Sequence, residues 1–371
     1  MPAAAGDLMP RTQSICMIGG DGETSYARNS RFQRGVQSRL TPLVEEAIAD
    51  LCREVVPSQF CVADLGCSSG PNALALVSAA VEAVCRRLGN PSPAAERSRP
   101  EISVYLNDLP DNDFNTVFKA VPSFLEKHAG AEEGGERPLV LVFGAPGSFY
   151  DRLFSAQMLH LVCSSFSLHW LSKVPQELVD GVLINRGNVC AGKTSTPAVT
   201  AAYTRQFEQD FKLFLASRAK EIIPGGWMIF SMAARPARDF ASQPRRLLEF
   251  AAEVLQDMAS QGMIASEEVD LYNVPVYTPC LEELRGAVEL EGSFEVARME
   301  SHEVIRSHGD AKQRAAALRG LHDWALVRHF QQVDHIGDEF RRAAEAHFSG
   351  LPETIATKSV ILIVSLRRKH P

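Results

Sequence analysis

An acidic residue and a glycine turn stand together in the segment Asp-Leu-Gly-Cys-Ser-Ser-Gly-Pro-Asn at 64–72. The apolar run at 60–65 is typical of a short buried strand, and Pro71 suits the first position of a helix. Strand, glycine turn and helix in this order open a nucleotide-binding α/β unit. Gly66 and Gly70 would let a ligand lie against bare backbone beside the positive end of the helix. The segment therefore predicts a ligand site.

A second acid, Asp108, ends the next predicted strand, 42 residues after Gly66. A dinucleotide site would need a third glycine and an acid about 20 residues away, and a P-loop would need its lysine. Neither is present, so a ligand with ribose hydroxyls but no pyrophosphate fits better, and S-adenosylmethionine is such a ligand. Asp64 and the turn would then face its amino-acid end, and Asp108 its ribose. A plain α/β turn, with Asp108 as a helix cap, stays open on spacing alone.

The elements that must position these residues alternate between strand and helix in the first 235 residues, which implies a mostly parallel sheet covered on both faces. Strands are expected at 60–65, 102–106, 139–143, 181–185, 227–232, 294–299 and 359–366. Helices are expected at 41–55, 113–128, 203–221, 311–330 and 335–347. We expect a disordered start (1–14), a core (15–235), a helical cap insertion (236–290), and a segment that ends the core with further cap helices (291–371).

Bulk composition narrows the class of protein. The 371 residues are 45% hydrophobic and 22% charged, as in an ordinary globular protein. A net charge of −7 argues against nucleic acid or anionic membrane as the main partner. No apolar run reaches the roughly 20 residues that span a bilayer, and the amino terminus has no signal-peptide pattern. The eight cysteines form no C-x-x-C pair, so we expect reduced thiols and a cytoplasmic enzyme.

Several segments together resemble one family. GGDGETSYARNSRFQ, DLGCSSGPN, NDLPDNDFN, PGSFYDRLF, SSFSLHWLS and YTRQFEQDFKLFL occur in this order, and the likeness runs from about residue 15 to 368. They resemble the plant SABATH methyltransferases, which include carboxyl methyltransferases of small acids and the caffeine-pathway N-methyltransferases. The resemblance implies a Rossmann-like methyltransferase core with a seven-stranded sheet, an α-helical cap, and S-adenosylmethionine as cofactor.

Matching those motifs residue by residue implies two sets of contacts. The cofactor would be bound by Tyr26, Ser30, Gly66, Cys67, Asn72, Asp108, Leu109, Ser148, Phe149 and Ser165. Asp108 would bind the ribose, and Leu109 and Phe149 would enclose the adenine. The acceptor carboxylate would be positioned by Gln33 and Trp170 through their amide and indole N–H groups. The substrate pocket would comprise Gln33, Phe166, His169, Trp170, Leu247, Leu248, Leu318, Leu321 and Ser359.

Two departures from the family pattern bear on the substrate. Phe166 stands where many relatives have tyrosine, and Ile18 where several have lysine. Both changes make the expected pocket more apolar, which favours a cinnamate-like or other hydrophobic monocarboxylate over salicylate. His169 is expected to shape the pocket without acting as a base, because a lone histidine is more often a structural donor.

The resemblance also implies a magnesium site and a homodimer. The metal ligands would be Asn185, Asp270, Tyr272 (through its carbonyl) and Asn273, an all-oxygen set that suits a hard cation. Asp270 and Asn273 could equally well order the loop before Pro275. We expect any metal to support the cap and to take no part in the chemistry.

Three functions remain open from the sequence. The leading one is methylation of the carboxylate of a small hydrophobic acid. N- or S-methylation by the same scaffold is the first rival, but Gln33 and Trp170 are the carboxylate contacts and no base is evident beyond His169. A catalytically silent hormone-binding protein is the second rival, and it would not need to keep an intact methyl-donor pocket.

Overall fold

A single mixed sheet organises the chain in the computed structural model, which describes residues 19–20, 22, 25, 30–53, 57–89, 100–129, 138–307, 309–352 and 356–370. The strands are β1 Gln59–Leu65, β2 Glu101–Asp108, β3 Leu139–Pro146, β4 Leu159–Ser165, β5 Ile222–Ala234, β6 Phe294–Ser307 and β7 Ala356–Arg368. Their order across the sheet is β3-β2-β1-β4-β5-β7-β6. The first five are parallel, whereas β7 pairs antiparallel with both β5 and β6. This confirms the predicted seven-stranded, mostly parallel sheet.

The helices cover the sheet and extend beyond it. They are α1 Arg31–Gln37, α2 Thr41–Leu51, α3 Ala75–Gly89, α4 Phe114–Ala129, α5 Gln176–Val179, α6 Pro197–Glu221, α7 Phe250–Ser260, α8 Ser266–Leu271, α9 Leu281–Glu291, α10 Ala311–His329 and α11 Ile336–Ser349. Short 3₁₀ turns occupy Pro71–Leu74, Phe240–Ser242 and Leu247–Glu249. No helix of the described residues is both long and apolar enough to cross a membrane.

Apolar spacing explains which helices lie against the sheet. In α2, Val44 and Ile48 lie one turn apart and are fully buried, in the hydrophobic cluster that includes Val62 of β1 and Val77 of α3. A second cluster, on the long helix α6, contains Phe207, Phe211 and Phe214 at spacings of three and four residues. Two apolar layers therefore enclose the parallel strands.

The fourth predicted strand, 181–185, is wrong. The segment forms a turn and an irregular stretch, and Val182 and Ile184 are exposed. The fourth strand is β4, the buried run LHLVCSS, which pairs with both β1 and β5. A short apolar run is not sufficient for a strand, because the strand must also find two neighbours that bury it.

The order of the strands determines where a ligand can bind. β1 lies between β2 and β4, so the connection after β1 leads to one side and the later chain returns on the other. Ligands of open α/β sheets bind at the carboxyl ends of the strands at such a switch point. Gly66, which follows β1, and Asp108, which ends β2, lie there. The division into core and cap at residues 236 and 290 stays a prediction.

Candidate functional site

The turn after β1 brings bare backbone to the switch point. Gly66 has φ of +74°, a conformation that favours glycine, and its N–H donates to the Asn107 carbonyl at 2.9 Å. A Cβ placed on Gly66 would lie 2.5 Å from both Cβ and Oγ of Ser167. Gly70, with φ of +113°, precedes the 3₁₀ turn that leads into α3. Only glycine therefore fits at position 66 without displacing the segment after β4.

Asp108 is held by the backbone of two neighbouring segments. One carboxylate oxygen accepts from the Ser68 N–H at 2.7 Å, and the other from the Leu109 N–H at 2.8 Å. Burial raises the pKa of Asp108 to about 6, although the two N–H donors lower it. The carboxyl group is thus fixed in place at the end of β2, where its remaining lone pairs can accept hydrogen bonds.

Asp64 is a buried acid next to the glycine turn. It is 2% exposed, and its Oδ1 has no hydrogen-bond partner in the described part of the chain. Burial, with the negative charge of Asp108, raises the pKa of Asp64 to about 8. A buried carboxylate without a partner is unfavourable, so a cationic group next to Asp64 would stabilise its ionised form.

A loop after β3 forms the opposite wall. The Gly147 N–H donates to the Asp108 carbonyl at 2.9 Å, which ties this loop to β2. The fully buried Arg218 of α6 donates to the carbonyls of Phe149 and Asp151, both at 2.8 Å. Its ion-pair partner Glu221, at 2.7 Å, also accepts from the backbone of the same loop.

This buried ion pair was not found from the sequence. Arg218 and Glu221 lie three residues apart in the helix sequence FLASRAKE. The available signal was an arginine and a glutamate one helical turn apart, immediately after the apolar residues Phe214 and Leu215. The pair fixes the backbone at Phe149. Removing Glu221 would leave the buried charge of Arg218 without its ion-pair partner, whereas Glu221 also pairs with Arg152 at 3.2 Å.

A cavity of about 480 Å³ opens between these walls, the 3₁₀ turn at Leu247–Glu249 and α10. Many of the predicted site residues line it, namely Gln33, Gly66, Asp108, Leu109, Ser148, Phe149, Phe166, His169, Trp170, Leu247, Leu248, Leu321 and Ser359. They come from eight separate stretches of the chain. The structure therefore brings predicted donor and acceptor residues to one enclosed space.

The other predicted residues lie elsewhere. Cys67, Asn72 and Ser165 line a small recess next to the cavity, together with Asp64 and Gln33. The hydroxyl of Ser30 accepts a hydrogen bond from the Asn72 amide at 2.8 Å, behind that recess. Leu318 is fully buried in α10 and does not line the cavity. Tyr26 and Ile18 fall outside the described residues.

Gln33 and Trp170 meet at the same cavity from different elements. The side-chain oxygen of Gln33, on α1, is buried and without a partner among the described residues. The backbone of Trp170 is fixed by a hydrogen bond from the Tyr150 hydroxyl to its carbonyl at 2.6 Å and by a β-bridge to Val276. The side chains of Gln33 and Trp170 carry an amide and an indole N–H, and such donors can hold a small anion.

His169 lies beside them as a neutral ring. It is 7% exposed, and its Nδ1 has no partner in the described structure. Burial, together with the positive charge of Arg246, lowers the pKa of His169 to about 3. The imidazole can therefore accept or donate a hydrogen bond, but it is a weak base at neutral pH.

Arg246 was missed by the sequence analysis and lines the same cavity. It begins the 3₁₀ turn that carries Leu247 and Leu248. The sequence signal was the Arg245-Arg246 pair immediately before an apolar helix, which is unusual at the edge of an expected apolar pocket.

Each of the four predicted metal ligands has contacts with protein groups instead. The amide nitrogen of Asn185 donates to Asn273 Oδ1 at 3.2 Å, and Asn185 Oδ1 accepts from the Ser195 hydroxyl at 2.8 Å. Asp270 pairs with Arg186 at 3.4 Å, and the Tyr272 hydroxyl hydrogen-bonds His322 at 2.8 Å. Within the described residues, no group of three or more His, Cys, Asp or Glu could hold a metal ion. These residues do not fit a divalent cation, because both amide oxygens already accept from protein donors.

Comparison with known proteins gives this cavity a context. The family model described as "SAM dependent carboxyl methyltransferase" matches residues 12–369. The chain belongs to that family. The SABATH resemblance is thereby confirmed, and S-adenosylmethionine is the methyl donor.

The relatives are similar in sequence over most of their length, but their names state different methyl acceptors. "Probable jasmonic acid carboxyl methyltransferase 1" of Theobroma cacao is 38% identical, over 96% of this chain and 99% of its own. A "3,7-dimethylxanthine N-methyltransferase" of Camellia sinensis var. assamica is 35% identical, over 95% and 96%. The solved "Loganic acid methyltransferase with SAH" has a TM-score of 0.77 at 29% identity, covering 95% of this chain and 99% of its own. The names of these relatives therefore include both a carboxyl methyltransferase and an N-methyltransferase.

Proposed function

We propose that this methyltransferase transfers the methyl group of S-adenosylmethionine to the carboxylate of a small hydrophobic acid and forms its methyl ester. An aromatic acid of the cinnamate or benzoate type fits best. The observation that carries the proposal is that Gln33 and Trp170 line one cavity together with the residues of the donor turn. The proposed catalytic role of these two residues is to position the acceptor.

The donor side fits the cofactor in charge and in shape. Asp64, buried and without a partner, would bind the ammonium group of the cofactor, and Asp108 would accept from its ribose hydroxyls. The backbone at Gly66 offers a surface that a side chain would block. Leu109 and Phe149 would enclose the adenine, with Ser148 beside it. When bound, the cofactor supplies an electrophilic methyl group on its sulfonium.

The acceptor side needs positioning more than proton transfer. A carboxylic acid with a pKa near 4 is already ionised at neutral pH, so a general base is unnecessary. Gln33 and Trp170 would hold one carboxylate oxygen in line with the methyl group, while the cavity walls exclude water. Positioning of this kind can account for about 7–11 kcal/mol of a barrier.

The walls around the acceptor favour an apolar body. Phe166, Leu247, Leu248 and Leu321 line the cavity, and Phe166 packs edge-on against His169 at 4.9 Å between ring centroids. Such walls accept aromatic or aliphatic groups. Salicylate, jasmonate, indole-acetate, gibberellin and farnesoate remain alternative acids for the same chemistry.

N-methylation is the second candidate, since the relative from Camellia sinensis is named as a xanthine N-methyltransferase. A heterocyclic N–H or a thiol must lose a proton on methyl transfer. Burial makes His169 too weak a base to accept it efficiently at neutral pH. Methylation of a carboxylate needs no base, so we prefer it to N-methylation.

The test is a panel of acceptors with methyl-labelled cofactor. Benzoate, cinnamate, coumarate, salicylate, anthranilate, jasmonate, indole-acetate and farnesoate are compared with xanthines, and products are identified by mass and by their lability to alkaline hydrolysis. Base-labile methyl esters support the proposal. Base-stable N-methyl products, or no affinity for the cofactor in calorimetry, would refute it.

We also infer that the enzyme is a cytoplasmic homodimer. The cysteines at 52, 61, 67, 163, 190 and 280 are free thiols, as a reducing compartment maintains. Light scattering on the purified enzyme tests the dimer, and fractionation of the source tissue tests the compartment. Magnesium is left out of the proposal, because the expected ligands are occupied by each other and by neighbouring donors.

A further inference from the structure

Arg246 places a cation in an otherwise apolar wall of the cavity. Among the described residues that line the cavity, it is the one lysine or arginine. The residues that follow it directly in the wall are Leu247 and Leu248. An apolar acid alone does not explain why a charged side chain stands at this position.

The outer end of the Arg246 guanidinium is held by three protein groups. Its Nη2 donates to Cys190 Sγ at 3.1 Å and to Glu249 Oε1 at 3.3 Å, and its Nη1 lies 3.5 Å from the Thr278 hydroxyl. Glu249 also accepts from the backbone N–H of Arg246 at 2.7 Å. These contacts fix the side chain and balance its charge, so little conformational freedom remains to be lost when a ligand binds.

The inner nitrogen of the same group has no protein acceptor. Nε of Arg246 is buried and without a hydrogen-bond partner among the described residues, as is Nδ1 of His169. Both residues line the cavity, and the charge of Arg246 acts on the His169 ring. A buried donor that stays unpaired is unfavourable, and a hydrocarbon ligand would leave it unpaired.

We propose that Arg246 is a specificity-determining residue that selects acids carrying a second acceptor oxygen, such as a hydroxyl, keto or further carboxylate group, which accepts from Arg246 Nε. This inference rests on the proposed carboxyl methylation and narrows its substrate class. The acid is hydrophobic in its body but polar at one point besides the reacting carboxylate. His169 lies beside that point and can hydrogen-bond the same group.

The experiment compares matched acids within each enzyme variant. Benzoate is paired with 2-, 3- and 4-hydroxybenzoate, and cinnamate with its 2-, 3- and 4-hydroxy derivatives. The hydroxyl oxygen is thereby placed at different positions in the pocket. The readout is the ratio of kcat/KM for the hydroxylated acid to that for the plain acid. Because both values come from one preparation, the ratio is unaffected by the fraction of enzyme that is correctly folded.

We expect the wild-type ratio to reach about 10–100 for at least one position of the oxygen, the range for a hydrogen bond from a charged donor. In Arg246→Met it should fall to about 1. The matched control is Arg245→Met, since Arg245 is the preceding arginine, pairs with Glu253, packs its guanidinium 3.6 Å from the Phe250 ring centroid and does not line the cavity. It should keep the wild-type ratio.

A second variant, Arg246→Lys, shows whether the result depends on misfolding of Arg246→Met. Arg246→Lys keeps a positive charge near Glu249 but has no Nε–H at the corresponding place, so its ratio should also fall. A wild-type ratio near 1 at every position overturns the inference, as does a high ratio that survives in both Arg246 variants. If plain and hydroxylated acids are methylated equally well, the inference about Arg246 is wrong but the proposed function stands. If no acid gives a methyl ester, both the inference and the proposed function are wrong.

Discussion

The substitution Gly66→Ala tests whether the donor site depends on bare backbone. The alanine must adopt φ of +74°, which costs an L-residue about 1–2 kcal/mol. Its Cβ would also lie 2.5 Å from two atoms of Ser167, far inside contact distance. Relief of such overpacking typically costs about 1–3 kcal/mol more. We expect the free energy of unfolding to fall by about 2–5 kcal/mol.

Gly262→Ala is the control that separates the two contributions. Gly262 has φ of +72°, nearly the same as Gly66, but a Cβ there meets nothing within 4 Å. The cost of the left-handed backbone conformation and the loss of conformational entropy in the unfolded state are therefore the same in the two variants. The difference between their unfolding free energies, measured by urea denaturation, isolates the contact with Ser167.

Removing the side chain of Ser167 tests whether relief of the clash restores stability. In Gly66→Ala/Ser167→Gly both clashing atoms are removed, and the nearest remaining atom is Cε1 of Phe149 at an ordinary 3.5 Å. Stability should return toward that of Gly262→Ala, while cofactor affinity in calorimetry stays weakened because the new methyl group covers the backbone. Equal stability of Gly66→Ala and Gly262→Ala, with unchanged cofactor affinity, would refute the reasoning.

Three further results follow from the site. Gln33→Ala and Trp170→Phe should each lower kcat/KM for the acid by about 10–100-fold, because each removes one hydrogen bond to a charged group. The affinity for S-adenosylhomocysteine should stay unchanged. Near-normal turnover by both variants would contradict the role of these residues. Folded Asp64 keeps its proton to about pH 8, whereas the unfolded chain loses it near pH 4. Stability of the cofactor-free enzyme should therefore fall as the pH rises through that window, and Asp64→Asn should flatten the curve in denaturation at pH 5–8; parallel curves would count against it. Removing divalent ions with a chelator should leave both activity and Tm unchanged, because Asn185 and Asn273 already accept from protein donors; a loss restored by magnesium would argue for a metal site.

Much of the sheet could be predicted because most of its strands contain a short run of apolar residues that is followed by a turn. The β1 turn is an example, where the acid, the glycines and Pro71 are adjacent in the chain. The error at 181–185 has a physical cause. Val182 is 74% exposed there, whereas the true fourth strand at 159–165 is buried by neighbours that are distant in sequence.

The candidate site divides in the same way. Its donor side consists of contiguous motifs, so Asp64, Gly66 and Asp108 could be named from spacing. Its acceptor side is assembled from α1, the segment after β4, the 3₁₀ turn at Leu247–Glu249, α10 and β7. No spacing rule connects these stretches, which is why Arg246 was not found while Leu247 and Leu248 next to it were.

One short segment couples the two sides. The Ser167 hydroxyl donates to the Gly66 carbonyl at 2.9 Å, and the Trp170 N–H donates to the Ser167 carbonyl at 3.0 Å. Phe166, between β4 and this turn, holds the left-handed φ of +60° that lets the chain bend there. A side chain at Gly66 would push first on Ser167, which is one hydrogen bond from Trp170. Damage at the donor turn should therefore displace the acceptor as well. Ser167→Gly relieves the clash but removes the hydroxyl that donates to the Gly66 carbonyl, so it should recover stability and acid turnover at saturating cofactor only in part.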